Sequence, residues 1–181
     1  MQNEQEVTKV IEDFPRYEIS NFGRVFNRET GREMAHSQVQ YGIHTVGLIQ
    51  DVVSQIDGYL THDSVQKTRS IKSLVAKAFV EGQTDTFDTP VQLDGDRGNL
   101  HASNMVWRPR WFAIRYTRQM YNQEDWYFAG PIVDITNNEV YDSIFHAATS
   151  LGLLCKDIRI SLHNGRPVFP YGLQFKWVNH N

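Results

Sequence analysis

Only one cysteine, Cys155, occurs in the 181 residues. That excludes an internal disulfide and any cysteine-built zinc site, and it fits a reducing compartment. No apolar run approaches the roughly 20 residues needed to span a bilayer, so a membrane partner is not expected. The first ten residues, MQNEQEVTKV, are polar and lack a signal-peptide apolar region, which points to the cytoplasm. An excess of base is missing too: 18 Lys and Arg stand against 21 Asp and Glu, a net charge of −3. That balance is unusual for a nucleic-acid binder. Internal repeats and low-complexity segments are likewise absent. What is present suffices for a folded chain, with 40% hydrophobic and 12% aromatic residues. The length allows one large domain or two or three small modules.

The charge is unevenly spread. Residues 1–63 hold ten acids and five bases, whereas residues 65–77 hold four bases and no acid. Residues 107–118 hold four arginines and no acid. Such stretches can make a DNA footprint in an acidic protein. Solvated surface charge accounts for either stretch alone just as well.

Residues 7–60 alternate apolar residues with turn signals, as in Tyr17-Glu18-Ile19, Asn21-Phe22-Gly23 and Gly42 to Leu48. This predicts short antiparallel strands joined by tight turns. Residues 71–79 predict a helix with Ile71, Leu74, Val75 and Ala78 on one face. Residues 108–130 carry seven aromatics and four arginines with no strong period, and are read as a connector. Further on, strands are expected at 132–135, 140–141 and 171–177, a turn at Asn137-Asn138, and helices at 143–151 and 155–162.

Three blocks carry a resemblance. Tyr17-Glu18-Ile19-Ser20-Asn21-Phe22-Gly23-Arg24-Val25 is similar to the NUMOD module, usually YEVSN-x-GRV. Leu74-Val75-Ala76-Lys77-Ala78-Phe79, then Leu93-Asp94-Gly95-Asp96, Asn99, Asn104 and Trp107, resembles the core of HNH homing endonucleases: LVA-x-AF, DHIDGN, NN and NL-x-W. Asp142-Ser143-Ile144, Ala147-Ala148, Leu151-Gly152-Leu153 and Gly165-Arg166-Pro167 resembles the helix-turn-helix repeat of intron-encoded nucleases. The layout is nearest the phage intron-encoded nicking enzymes of the HNH group.

The resemblance implies an α+β fold. Residues 1–65 would form a small N-terminal antiparallel sheet and 66–108 a ββα-metal core. Residues 109–130 would be the connector, and 131–181 a helix-turn-helix domain with short strands. In an HNH site a histidine serves as general base while one divalent metal polarises the phosphate. The family's Asp-His pair falls here on Val91 and Gln92. Valine has no donor atom for a hard cation, and the glutamine amide cannot take a proton from water near neutral pH. Asn104 matches the helix ligand and Asn99 the loop-ordering asparagine, so Asn104 is the one remaining metal-ligand position. Asp94, Asp96 and His101 are chemically able to rescue a metal site, although turn and helix-start roles are the readier reading of all three. Lys72 stands where the family usually has histidine.

Lys156, Asp157, Arg159, His163 and Asn164 would face the major groove from the second helix of the repeat, with Ile158 and Leu162 packed inward. By spacing alone, a helical hairpin in a core fits too. The connector arginines Arg108, Arg110, Arg115 and Arg118 would contact phosphates. The expected function is binding of double-stranded DNA without cleavage, as a monomer and with no cofactor. One alternative is an active nicking endonuclease using Mg2+ or Mn2+ at Asp94, Asp96, His101 and Asn104. The other is a protein-interaction module inhibiting a host or phage enzyme, which the acidic first 63 residues favour.

Overall fold

Period-two alternation in the first third of the chain does form antiparallel sheet, and the helical periods after it form helices, giving an α+β fold with small sheets and, among the described residues, four α-helices. The computed structural model describes residues 5–56 and 59–178. The polar stretch at Met1–Glu4 therefore lies outside the described residues. The chain divides into two compact units, one of residues 1–92 and 96–107, the other of residues 93–95 and 108–181.

In the first unit, β1 (Thr8–Ile11), β2 (Phe14–Ser20) and β3 (Val25–Asn27) form an antiparallel sheet in that order. Tyr17 and Ile19 of β2 are buried while Arg16 faces out, as a strand with one wet face requires. The β2–β3 turn is tied by Ser20, whose hydroxyl accepts from the backbone N–H groups of Phe22 and Arg24 at 3.3 and 3.0 Å. Gly23 sits in that turn at φ +87°. A second sheet has the order β4 (Ser37–Val39), β5 (Ile43–Ile56), β6 (Tyr59–Ser70). Strands of 14 and 12 residues stay in register from Thr45↔Ser70 to Ile56↔Tyr59, where the pattern predicts short strands ending near residue 60. The ribbon enters the core at its base through Val46 and Leu48. The first sheet meets it again where the Ile49 N–H donates to the Tyr17 hydroxyl at 3.3 Å and Arg16 pairs with Asp51 at 2.9 Å. Beyond Ile49, Val53 and Val65 are exposed. Its length comes from the backbone ladder, which side-chain periodicity does not register.

The predicted helix is α1 (Ile71–Phe79), with Ile71, Leu74, Val75 and Ala76 buried. Its last turn is fastened by the Trp107 indole N–H, which donates to the Val80 carbonyl at 2.9 Å. β7 (Thr89–Gln92) and β8 (Met105–Arg108) pair as a two-stranded sheet. Phe14, Ile19, Val25, Leu48, Ile71 and Val75 centre the core of this unit.

The second unit begins with α2 (Arg110–Tyr121), in the stretch read from the sequence as an aperiodic connector. The helical period is there: Phe112, Ala113, Tyr116 and Gln119 are all buried, at spacings that bring them to one face. The exposed Trp111, Ile114 and Tyr121 blur that stripe. The Tyr116 hydroxyl donates to the Leu93 carbonyl at 2.8 Å, and a Cβ at Gly95 would lie 2.8 Å from the Met120 Cγ. The turn at residues 93–95 thus packs on this helix.

β9 (Ile132–Asp134) is the centre of a sheet ordered β10 (Glu139–Tyr141), β9, β11 (Phe175–Trp177). The β9–β10 turn is held by the buried Asp134 carboxylate, which accepts from the Thr136 N–H at 2.8 Å and the Asn137 amide at 2.7 Å. Asn138 takes the left-handed conformation there, at φ +58°, as asparagine tolerates. β11 is shorter than the predicted 171–177, because Gly172 at φ +71° turns the chain and Leu173 bridges Val168. α3 (Ile144–Leu151) and α4 (Cys155–Asn164) fall where expected. They pack on the sheet through Ile132, Ile144, Ala147, Ala148, Ile158 and Phe175. Cys155 is fully buried in this core. Its backbone N–H donates to the Gln119 side chain at 2.9 Å, and burial pushes its thiol pKa up to about 12.

Candidate nucleic-acid interface

Val91 and Gln92 close β7, and both are buried. The Gln92 amide nitrogen donates to the carbonyls of Asp96 and Asn99 at 2.8 and 2.9 Å. A side chain with two N–H bonds and no titratable group is thus anchoring the loop that follows it. The Asn104 amide donates to the same Asn99 carbonyl at 3.2 Å, and the Asn99 side chain accepts from the His101 N–H at 3.3 Å. Asn104 is not on a helix, contrary to its reading as the helix ligand. It ends the single 3-10 turn Ala102–Asn104, just ahead of β8; the long helix comes only after that strand.

The rescue candidates have local roles. Asp94 and Asp96 are exposed, and the Asp96 carboxylate accepts from the Gly98 N–H at 2.8 Å. The His101 Nδ1 lies 2.6 Å from the Ser103 hydroxyl, and its ring meets Phe22 edge-on at 4.5 Å. Among the described residues, no three His, Cys, Asp or Glu side chains group so as to hold a metal. At the two positions that the sequence resemblance gives to the carboxylate ligand and the imidazole base, a buried valine and a carbonyl-bound amide do not fit a divalent cation of the HNH kind. Lys72 is half-buried in the first turn of α1. Burial first, and Arg97 second, hold its ammonium pKa below the usual lysine value.

In the second unit, Ser143 caps α3 by accepting from the His146 N–H at 3.0 Å, the role its hydroxyl suits. Gly152 ends that helix at φ +64°, a conformation glycine adopts without cost. α4 follows within three residues. Ile158 is buried and Leu162 packs at the edge of the core. Lys156, Arg159, His163 and Asn164 are exposed on α4, and Asp157 is half-buried. The Arg159 guanidinium lies over the Trp126 ring at 4.6 Å. Burial raises the pKa of the Asp157 carboxyl, against the opposing pull of Arg115, Arg166 and Lys156.

Arg108 corrects the sequence reading. Instead of meeting phosphates it is buried, and it donates to the carbonyls of Gly152 and Leu151, both at 3.1 Å, and to the Tyr171 hydroxyl at 2.9 Å. It also lies over the rings of Tyr171 and Phe112. The last carbonyls of α3 are a natural seat for a guanidinium, being acceptors at the negative end of a helix dipole. The other three arginines of the stretch, Arg110, Arg115 and Arg118, are exposed on α2. Trp111, Arg115 and Arg118 share one stripe at i, i+4 and i+7, and Arg115 lies over the Trp111 ring at 5.1 Å. The sequence reading missed Arg166 as a member of this charged surface. Arg166 lies in the segment after α4, and the sequence signal for the helix that displays Arg110, Arg115 and Arg118 is the spacing of Phe112, Tyr116 and Gln119.

Residues 6–49 match the model of the NUMOD4 motif. None of the curated proteins matches the sequence. A solved structure described as "DNA binding and cleavage by the HNH homing endonuclease I-HmuI" aligns at 23% identity and a TM-score of 0.49, covering 97% of this chain and 99% of that one. The chain carries a NUMOD4 motif in its first unit, and along nearly its whole length it is similar to an HNH homing endonuclease.

Proposed function

We propose that this protein binds double-stranded DNA as a non-cleaving member of the HNH homing endonuclease group. The observation that carries the loss of cutting is the buried Gln92 amide bound to the carbonyls of Asp96 and Asn99. It holds the loop in place where a nuclease of this kind needs a base. Support for DNA comes from the NUMOD4 motif, the turn between α3 and α4, and the exposed bases of α4 and α2. In this reading α4 is the recognition helix of a helix-turn-helix, and Arg110, Arg115 and Arg118 position the duplex through its phosphates. A phage origin and a cytoplasmic setting belong to the same reading.

The test is a strand-break map with Mg2+ or Mn2+ present, comparing the natural chain with a double change, Val91→Asp with Gln92→His. Thermal melting of both verifies that each is folded. The expected result is site-specific nicking by the restored variant alone. Nicking by the natural chain would establish the nuclease alternative and refute the loss of cutting. A second measurement addresses binding. Changing Lys156 and Arg159 together to alanine is expected to lower duplex affinity at least tenfold and to reduce the salt slope by roughly one for each phosphate contact removed. Unchanged affinity would turn attention to a protein partner, for which the exposed Ile49 and Val53, two positions of one face of the β5–β6 ribbon four residues apart, offer a surface.

A further inference from the structure

In the second unit, α2, α4 and the segment after α4 enclose a groove of about 280 Å³. Its lining is Trp111 from α2, Asp157 and Ile160 from α4, and Arg166, Pro167 and Phe169 from the following segment. Most of that wall is apolar or aromatic, and the two rings are accessible: Trp111 is 48% exposed and Phe169 39%. Their centroids stand 5.7 Å apart at a tilt of 39°. The volume is just below the lower bound of the range for small-molecule pockets, roughly 300–1,000 Å³. It suits a flat ring system better than a packed helix.

Charge decides what kind of flat ring. Three cations, Arg115, Arg166 and Lys156, bear electrostatically on the one carboxylate of the groove, Asp157. That balance repels a cationic ligand and favours one carrying phosphate. Aromatic faces beside arginines are how proteins hold unstacked bases, because every base has a π-face. A carboxylate adds an acceptor for an exocyclic amino group such as cytosine N4.

We propose that this groove takes an unstacked nucleotide, its base against Trp111 and Phe169, its amino edge toward Asp157 and its phosphate toward Arg166 and Arg115. The site deepens the DNA reading above and rests on it. It assigns the protein a preference for amino-bearing bases at one position where the strand leaves the stack.

The experiment uses the full chain and four probes: a duplex, single-stranded dodecamers of deoxycytidine and of thymidine, and polyglutamate as a pure-charge control. Binding is read by fluorescence anisotropy of the labelled probes. Deoxycytidine should bind more tightly than thymidine, and polyglutamate should bind much more weakly than either. Trp111→Ala is expected to lower deoxycytidine dodecamer affinity at least fivefold, and Asp157→Asn to narrow the gap between the two dodecamers. Both positions are at least partly solvent-facing, and melting of each variant verifies the fold. Duplex binding without single-strand binding, or single-strand binding indifferent to Trp111→Ala, would overturn the groove proposal while leaving DNA as the target. Polyglutamate binding as tight as deoxycytidine would overturn base recognition. Failure of duplex and single strands alike would overturn the DNA reading itself, and the groove with it.

Discussion

Arg108→Met is expected to destabilise the second unit by about 3 kcal/mol, a large share of the stability of a small domain. Methionine preserves much of the packing against Phe112 and Tyr171. It removes the guanidinium donors to the carbonyls of Leu151 and Gly152 and to the Tyr171 hydroxyl. Hydrogen bonds from a charged donor contribute roughly 1.5–3 kcal/mol each, and a buried carbonyl left without a donor costs about 1–3 kcal/mol. Against this, the variant no longer has to desolvate a guanidinium, which offsets part of the loss. Urea denaturation of the full chain measures the result. The same variant separates two roles for the residue. A phosphate contact would leave the unfolding midpoint in place and reduce the salt slope of DNA binding by roughly 1. A structural guanidinium shifts the midpoint.

Gly23→Ala should be nearly as damaging in the first unit. At φ +87° an alanine is strained, by roughly 1–2 kcal/mol. Its Cβ would also fall 2.6 Å from the Leu100 Cβ, an atom fixed to the backbone. Overpacking of that kind adds roughly 1–3 kcal/mol, for a combined loss of about 3 kcal/mol. Gly31→Ala is the internal comparison. It has a similar φ of +67° but open space around the new methyl, so only the backbone strain of about 1 kcal/mol is expected. Equal losses in the two variants would mean that the contact with Leu100 relaxes freely. A larger loss at Gly23 would explain why the Ser20-Asn21-Phe22-Gly23-Arg24-Val25 turn is written with glycine at that place.

Helices with a clean apolar stripe were legible in the sequence. α1, α3 and α4 fall on the predicted residues because Ile71–Leu74–Val75, Ile144–Ala147–Ala148 and Ile158–Leu162 repeat at helical spacing with little interference. α2 was hidden by its own surface: exposed Trp111, Ile114 and Tyr121 fill the polar face with apolar letters. The β5–β6 ribbon was hidden for a related reason, since the strands run on past the core that gives them a pattern. The substitutions at Val91 and Gln92 could be read directly, because what those side chains cannot do is a matter of composition. What they do instead could not be read. That Gln92 bonds to two particular carbonyls, and that Asn104 precedes a strand and not a helix, depends on how the loop folds back. Arg108 shows the same limit. An arginine among arginines looks like part of a basic surface, and only burial separates it from Arg110, two positions on.

The sole cysteine has a practical consequence for following the molecule in solution. Cys155 lies at the centre of the second unit's core, with its thiol pushed far toward the protonated form. A thiol so placed reacts with a labelling reagent only when its surroundings open, since the thiolate is the reacting species. The first unit contains no competing thiol. Labelling rate at a single atom is therefore a native clock for the opening of α2 and α4, and DNA that settles on those helices should slow it in proportion to its grip.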